Sequence, residues 1–220
     1  IYFALHARRK RDQRELELTL DARDAQLDML RAQVNPHFLF NCLNSLRALI
    51  VENPERATAM VTSLSDLLRY SLQSDRTHTV SLAEELAIVD EYVSLERVRF
   101  EDRLRVERML DPAALAARVP PMLVQTLVEN AVKHGVGILP QGGVVRVRAA
   151  IDGHRVTITV SNTGTIRQGH NDAGHGLRNT MARLRLLYDD LASFSLTDAS
   201  GETVATVTLP FEPARERVAG

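Results

Sequence analysis

His37 stands between Pro36 and Phe38, with an amide one helical turn away on either side, Gln33 before it and Asn41 after it. Such an imidazole can serve as a nucleophile when one ring nitrogen is held and the other keeps its lone pair. Gln33 is placed to fix the ring's tautomer, and Asn41 to orient a water beside a phosphorylated partner. A second cluster lies downstream. The stretch Leu123–Gly135 carries Asn130, Lys133 and His134, then Asn162-Thr163-Gly164 follows an alternating segment and Gly174-His175-Gly176-Leu177 precedes a helical one. An Asn oxygen is a competent Mg²⁺ ligand where phosphate oxygens complete the shell. Lys133, one turn further on, can neutralise a phosphate. Glycines at a helix N-terminus let backbone N–H groups approach an anion that the helix dipole favours.

These residues need elements to hold them. Arg14 to Val34 contains no Gly or Pro, and Leu16, Leu20, Leu27, Leu30 and Val34 trace a thin heptad seam that calls for a second copy of the chain. From Pro36 the apolar positions shift to Phe38, Leu39, Cys42, Leu43, Leu46, Leu49 and Ile50, which turns His37 to a flank. Asn53-Pro54 closes that helix and opens another, with Ala57, Met60, Val61, Leu64, Leu67, Leu68 and Leu72 on one face. Two antiparallel helices per chain, doubled, give a four-helix bundle. A polar linker spans Ser74–Thr79.

The pattern then changes. Ser81 with Glu84 reads as a capping box opening a helix to about Phe100. On that helix Glu84, Glu85, Glu91 and Glu96 are expected on a solvated face, and Arg97 and Arg99 to brace the domain. A short strand at Leu104–Met109 and an apolar helix ending at His134 follow. Two hairpins come next, Val144–Ala150 with Arg155–Ser161 around Asp152-Gly153, and Ser193–Asp198 with Thr203–Leu209 around Ser200-Gly201-Glu202. Helices and a mixed sheet in this order make an α+β two-layer sandwich behind an all-α hairpin.

Composition bounds the function. The 27 Lys+Arg nearly balance 28 Asp+Glu over 220 residues, which excludes a broad basic surface for nucleic acid. The single cysteine, Cys42, excludes a disulfide framework and fits a reducing compartment; its expected role is buried packing. An apolar stub, Ile1–Leu5, runs into Arg8-Arg9-Lys10-Arg11, as at the cytoplasmic end of a transmembrane helix.

The Asn130 segment, Asn162-Thr163-Gly164 and Gly174-His175-Gly176-Leu177 resemble the N, G1 and G2 boxes of the GHKL (Bergerat-type) ATPase superfamily. Asn35-Pro36-His37-Phe38-Leu39-Phe40-Asn41 resembles the phosphoacceptor box of LytS-like sensor histidine kinases, and Arg99-Phe100 and Leu209-Pro210 fit the same pattern. The resemblance runs from about residue 30 to 211. It implies that His37 is phosphorylated by ATP, with Asn130 as Mg²⁺ ligand, Lys133 on the phosphates and His134 beside the nucleotide. It assigns Asn162 to adenine recognition, Gly164 to the adjoining turn, and Gly174 and Gly176 to the hinge of an ATP lid. Leu177, Asn179 and Arg183 follow on the helix after the lid, and Asn41 can support a phosphatase reaction.

Two positions depart from the family pattern. Asn162 replaces the usual Asp, a neutral acceptor for a charged one, and Thr165-Ile166 stand where a second Gly is common. Thr126 occupies the place where ATP-hydrolysing and serine-phosphorylating members carry a general base, which favours a histidine acceptor.

The expected organisation is a juxtamembrane piece at 1–13, a signalling coiled coil at 14–34 and a dimerisation and phosphotransfer hairpin at 30–76. A GHKL catalytic domain at 77–212 and a tail at 213–220 complete it. The expected activity is that of a homodimeric kinase region on the cytoplasmic side of a bacterial inner membrane, autophosphorylating with ATP and Mg²⁺. Its partner is a response regulator receiver domain, of a regulator that can be of LytTR type, with no direct contact to nucleic acid. The alternatives are a degenerate kinase serving as a dimeric scaffold, nucleotide sensor or phosphatase, and an ATPase or serine kinase.

Overall fold

The structure is a computed structural model that describes residues 36–73, 78–165, 175–199 and 201–211. The expected coiled coil, the juxtamembrane piece, Gln33 and Gly174 lie outside the described residues.

Two helices come first, α1 (Pro36–Glu52) and α2 (Pro54–Gln73). Asn53 makes the corner: its Oδ1 accepts the Arg56 N–H at 3.0 Å, a side-chain cap, and Pro54 fills the first helical position where no donor is needed. The apolar face expected on α1 divides in two. Phe38, Cys42 and Leu49 are buried, whereas Phe40, Leu43, Ile50 and Val51 are exposed. On α2, Ala57, Met60 and Leu67 are buried, and Val61 and Leu72 are exposed.

Helix α3 (Leu82–Phe100) opens on the expected capping box. The Ser81 hydroxyl accepts the Glu84 N–H at 3.2 Å, and the Glu84 carboxylate accepts the Ser81 N–H at 2.7 Å. Just before it, the two-residue strand β1 (Val80–Ser81) pairs antiparallel with β3 (Arg118–Val119), so the start of α3 is tied to the loop that leads into α4 (Leu123–His134). Periodicity gave no warning of this pair, because two residues are too few to alternate.

The main sheet has five strands in the order β2 (Leu104–Leu110), β4 (Gly143–Asp152), β5 (Arg155–Thr163), β7 (Glu202–Pro210), β6 (Ser193–Ala199). β2 runs parallel to β4, and every other pair is antiparallel. Both hairpins form where the turn residues put them: Gly153 and Gly201 take φ of 58° and 83°, the left-handed region in which a Cβ is costly. Strand alternation buries Val145, Val147 and Ala149 of β4 with Val156, Ile158 and Val160 of β5 and Ala205, Val207 and Leu209 of β7. This face packs in one core with Leu86 and Val89 of α3 and with Leu123, Leu127, Val128 and Val132 of α4. Arg146 joins Glu107 and Glu202 across three strands, a device that holds register through β2–β4–β5–β7. The result is the expected two-layer α+β sandwich, preceded by the helical hairpin. Phe38, Cys42, Met60 and Leu67 belong to that core, so the hairpin is packed onto the sandwich rather than held off by a linker.

Candidate functional site

α4 brings its C-terminal half to the end of β5. The Asn130 Nδ2 donates to the Thr126 carbonyl at 2.7 Å, one turn back, which fixes the amide plane and leaves Oδ1 as the outward acceptor. Lys133 and His134 are exposed on the last turn. The helix ends at Gly135, whose N–H returns to the Ala131 carbonyl at 3.0 Å. A Cβ on Gly135 would lie 2.1 Å from the Asn162 Nδ2 and 2.6 Å from the Ala131 oxygen. Glycine is therefore what lets α4 and Asn162 meet.

Asn162 is buried near the end of β5, and its Nδ2 donates to the Thr163 carbonyl at 3.0 Å, again leaving an oxygen to accept. Gly164 follows at φ 105°, and a Cβ there would stand 3.8 Å from the Gly135 Cα. From the other side comes α5 (His175–Tyr188), with Gly176 in its first turn, where an added Cβ would be 3.2 Å from the Thr126 Cγ2. Leu177 is buried beneath it and Asn179 is exposed.

Thus two sets of short contacts lie along α4: Thr126 meets Asn130 and Gly176, and, at the helix end, Gly135 meets Asn162 and Gly164. The donor set suits an anionic ligand with a hard cation: amide oxygens at Asn130 and Asn162, an ammonium at Lys133 and a helix N-terminus at Gly176. Among the described residues no group of three or more His, Cys, Asp or Glu side chains is placed to hold a metal by protein atoms alone. A cation here would need oxygens from the ligand.

No carboxylate stands at Thr126. Glu129 lies instead near enough to α3 that its charge adds to burial, the main cause, in raising the pKa of Tyr92 and Glu96. That agrees with the ~100° step between adjacent helical residues.

His37 occupies the first turn of α1 and is exposed, while its neighbour Phe38 is buried with its ring 5.2 Å from that of Tyr92 on α3. The Asn41 amide lies 3.3 Å from the His37 Nδ1. The downstream amide thus stands beside the ring; Gln33, expected to fix the tautomer, lies outside the described residues. Cys42, one residue on, is buried as expected, and burial pushes its thiol up to about 12, which makes it unreactive.

One expectation fails. Glu84 is exposed and Glu91 half-buried, but Glu85 is fully buried and Glu96 nearly so. The Glu85 carboxylate accepts the N–H of Met122 at 2.6 Å and of Val124 at 2.9 Å, and the Tyr70 hydroxyl from α2 donates to it at 2.5 Å. Glu96 accepts from the Tyr92 hydroxyl at 3.3 Å and pairs with Arg99 at 3.5 Å, while Arg99 lies over the Phe100 ring. These contacts of Arg99 lie within α3 itself rather than between elements of the domain. The missed signal was positional: Leu82, Glu85, Leu86, Val89, Val93, Glu96 and Phe100 form one stripe at spacings of three and four, and two glutamates sit in it.

Residues 25–104 match the histidine kinase family. A LytS sensor protein of Staphylococcus saprophyticus is 34% identical over 207 residues, 88% of this chain and 35% of that protein. The sensor histidine kinase/phosphatase LytS of Staphylococcus aureus is 32% identical over 208 residues, again 88% of this chain and 36% of the relative. The chain therefore spans little more than a third of the length of these relatives. Among solved structures, the histidine kinase domain of a blue-light activated kinase from Erythrobacter litoralis aligns with a TM-score of 0.49 and 17% identity, over 86% of this chain and 92% of that one.

Proposed function

We propose, from the match of residues 25–104 to the histidine kinase family and the likeness of nearly nine tenths of the chain to LytS sensor proteins, that the chain is a histidine kinase that transfers the γ-phosphoryl group of ATP to His37 and then to an aspartate of a response regulator. The observation that supports this reading is that α4 meets Gly176 beside Asn130 through Thr126, and Asn162 and Gly164 through Gly135, together with an exposed imidazole beside an amide on the hairpin.

In this reading Asn162 accepts from the adenine amino group. Gly164 gives the base room, and Lys133 and the α5 N-terminus, with Gly174 and Gly176 as the lid's hinge, meet the phosphates. Leu177 anchors the hinge in the core, and His134 and Asn179 border the nucleotide. Asn130 would hold Mg²⁺, which would supply positive charge to the phosphate oxygens. His37 attacks in line, forming an N–P bond as the bond between the γ-phosphorus and its bridging oxygen breaks, and ADP leaves. Most of the acceleration comes from positioning and charge stabilisation. A neutral imidazole brings its own lone pair, so Thr126 in place of a general base is no loss.

Homodimerisation fits the exposed apolar stripe of α1, Phe40, Leu43 and Ile50, at spacings of three and seven. A receiver domain as partner, the LytTR class of regulator and attachment to the inner membrane through an upstream segment extend the same family reading. So do the boundaries at 1–13, 14–34, 30–76, 77–212 and 213–220. Among the described residues no helix is long and apolar enough to cross a membrane.

Incubation with radiolabelled ATP and Mg²⁺ tests the proposal. Acid-labile, base-stable label should appear on the wild-type chain and vanish in His37→Ala. Nucleotide binding without label would favour the scaffold or phosphatase alternative, whereas an active His37→Ala variant would point to a serine kinase if it keeps acid-stable label and to an ATPase if it only releases phosphate.

A further inference from the structure

Where α4 begins, the chain makes an unusual entry. Met122 precedes the helix at φ 66°, a left-handed conformation that a residue with a side chain rarely holds, and no side chain of its own segment caps the helix. The first amides are served from elsewhere in the fold: the buried Glu85 carboxylate takes the N–H groups of both Met122 and Val124. A carboxylate is well matched there, because it meets the positive end of the helix dipole.

The same carboxylate oxygen that holds Met122 accepts the Tyr70 hydroxyl, and Tyr70 sits in the last turn of α2, on the hairpin. Ser71 beside it is buried, with its hydroxyl 3.9 Å from the Met122 sulfur. From the far side, Arg183 of α5 donates to the Pro121 carbonyl at 2.9 Å. The entry to α4 at Pro121–Met122 is thus held by three elements at once: the hairpin through Ser71 and, by way of Glu85, Tyr70; α3 through Glu85 itself; and α5, the helix that carries Gly176, through Arg183.

We propose that Tyr70 is a positioning residue for the nucleotide site, acting through Glu85 to fix the first turn of α4 and so linking the seating of the hairpin to nucleotide affinity. This inference rests on the reading of α4 as the nucleotide helix. Tyr70 touches no nucleotide. When the hairpin is seated, its hydroxyl orients the carboxylate that pins Met122, and Asn130, two turns along, is presented at a fixed depth against Asn162. When the hairpin lifts, the carboxylate loses its orienting donor and the entry to α4 relaxes. Burial raises the Glu85 pKa and the Tyr70 hydrogen bond lowers it, so the donor also favours the charged form that grips the helix best.

The test uses the full chain and Tyr70→Phe, with Thr62→Ala on the exposed side of α2 as control. Amide exchange at Met122 and Val124 should quicken about fivefold in Tyr70→Phe. The dissociation constant for Mg·ADP, measured by calorimetry, and the KM for ATP should rise together by about threefold or more, with the maximal rate of His37 labelling within about twofold of wild type. The control should change none of these. Faster exchange with unchanged affinity would reduce the pair to a structural contact and overturn the proposal, as would unchanged exchange. If Tyr70→Phe does not fold, Glu85→Asp, which keeps the charge but shortens the reach to Met122, must show the same split between KM and rate or the proposal fails. A wild-type chain that binds no Mg·ADP would sink the kinase reading itself, a result separate from a wild type that binds while Tyr70→Phe matches it.

Discussion

At the scale of single residues, reactivity at His37 depends on which of its two ring nitrogens carries the proton. With the Asn41 amide 3.3 Å from Nδ1, the amide can present either its oxygen to an Nδ1–H or its nitrogen to an Nδ1 lone pair. The atom facing Nδ1 is the amide nitrogen; turned over, the amide would present its oxygen to an Nδ1–H and so put the lone pair on Nε2. An amide can turn over between the two, whereas Ala holds neither. Asn41→Ala should therefore slow His37 labelling roughly three- to tenfold at saturating ATP, the size of one ordinary hydrogen bond. Its KM for ATP should stay unchanged, because the nucleotide contacts lie on other elements. A raised KM with an unchanged maximal rate would contradict this account. Cys42, only one residue away, shows how narrow such activation is: the same helix that exposes His37 buries the thiol and silences it.

At the scale of elements, α3 is the strut, and its two buried glutamates give it a pH signature. Burial raises the pKa of both Glu85 and Glu96 above the ordinary 4.5. Tyr70 and the α4 amides oppose it at the first, and Arg99 and Tyr92 at the second. The folded chain then retains protons that the unfolded chain has released, so stability is greatest near the ordinary carboxylate value and falls as pH rises through the raised ones. The urea midpoint should be lower at about pH 8 than at about pH 5, and Glu96→Gln, neutral throughout, should flatten that slope. A midpoint that climbs with pH, or a slope that Glu96→Gln leaves intact, would show that neither carboxyl is held in this way. The Gln variant keeps the acceptor for the Tyr92 hydroxyl, so the comparison removes charge with little change in packing.

At the scale of the whole molecule, the hairpin has two apolar faces with different fates. One is spent on the sandwich, through Phe38, Cys42, Met60 and Leu67. The other is open: Phe40 is 67% exposed and Ile50 58%. Apolar groups aligned on one side of a helix pair and left in water mark an association surface, and a second copy of the hairpin presents the matching stripe. Ile50→Asp should shift the chain towards monomer in analytical ultracentrifugation, with the circular dichroism of the fold preserved. A wild-type chain that sediments as a monomer at tens of micromolar, on the order expected for a bundle this size, would refute the stripe's assignment. The dimer reading also sets a condition on the Tyr70 contact, since the same hairpin must pair on one face and sit on α3 and α4 with the other.

Much of this was legible in one dimension. The capping box at Ser81, the corner at Asn53-Pro54 and both glycine hairpins are local: each depends on residues within a few positions of one another, so spacing alone determines them. The chemistry of His37, Asn130 and Asn162 was readable for a related reason, because side-chain type limits what a group can donate, accept or bind. What only the tertiary structure decided is non-local. The parallel pairing of β2 with β4, the two-residue tie of Val80 to Val119 and the approach of Gly135 to Asn162 bring together residues that sequence distance does not rank. The fate of Glu85 is the sharpest case. A carboxylate carries a charge that water solvates well, so by itself it belongs outside, and only the unpaired amides of α4 and the hydroxyl of Tyr70, 37 and 15 residues away, make burial the lower free energy.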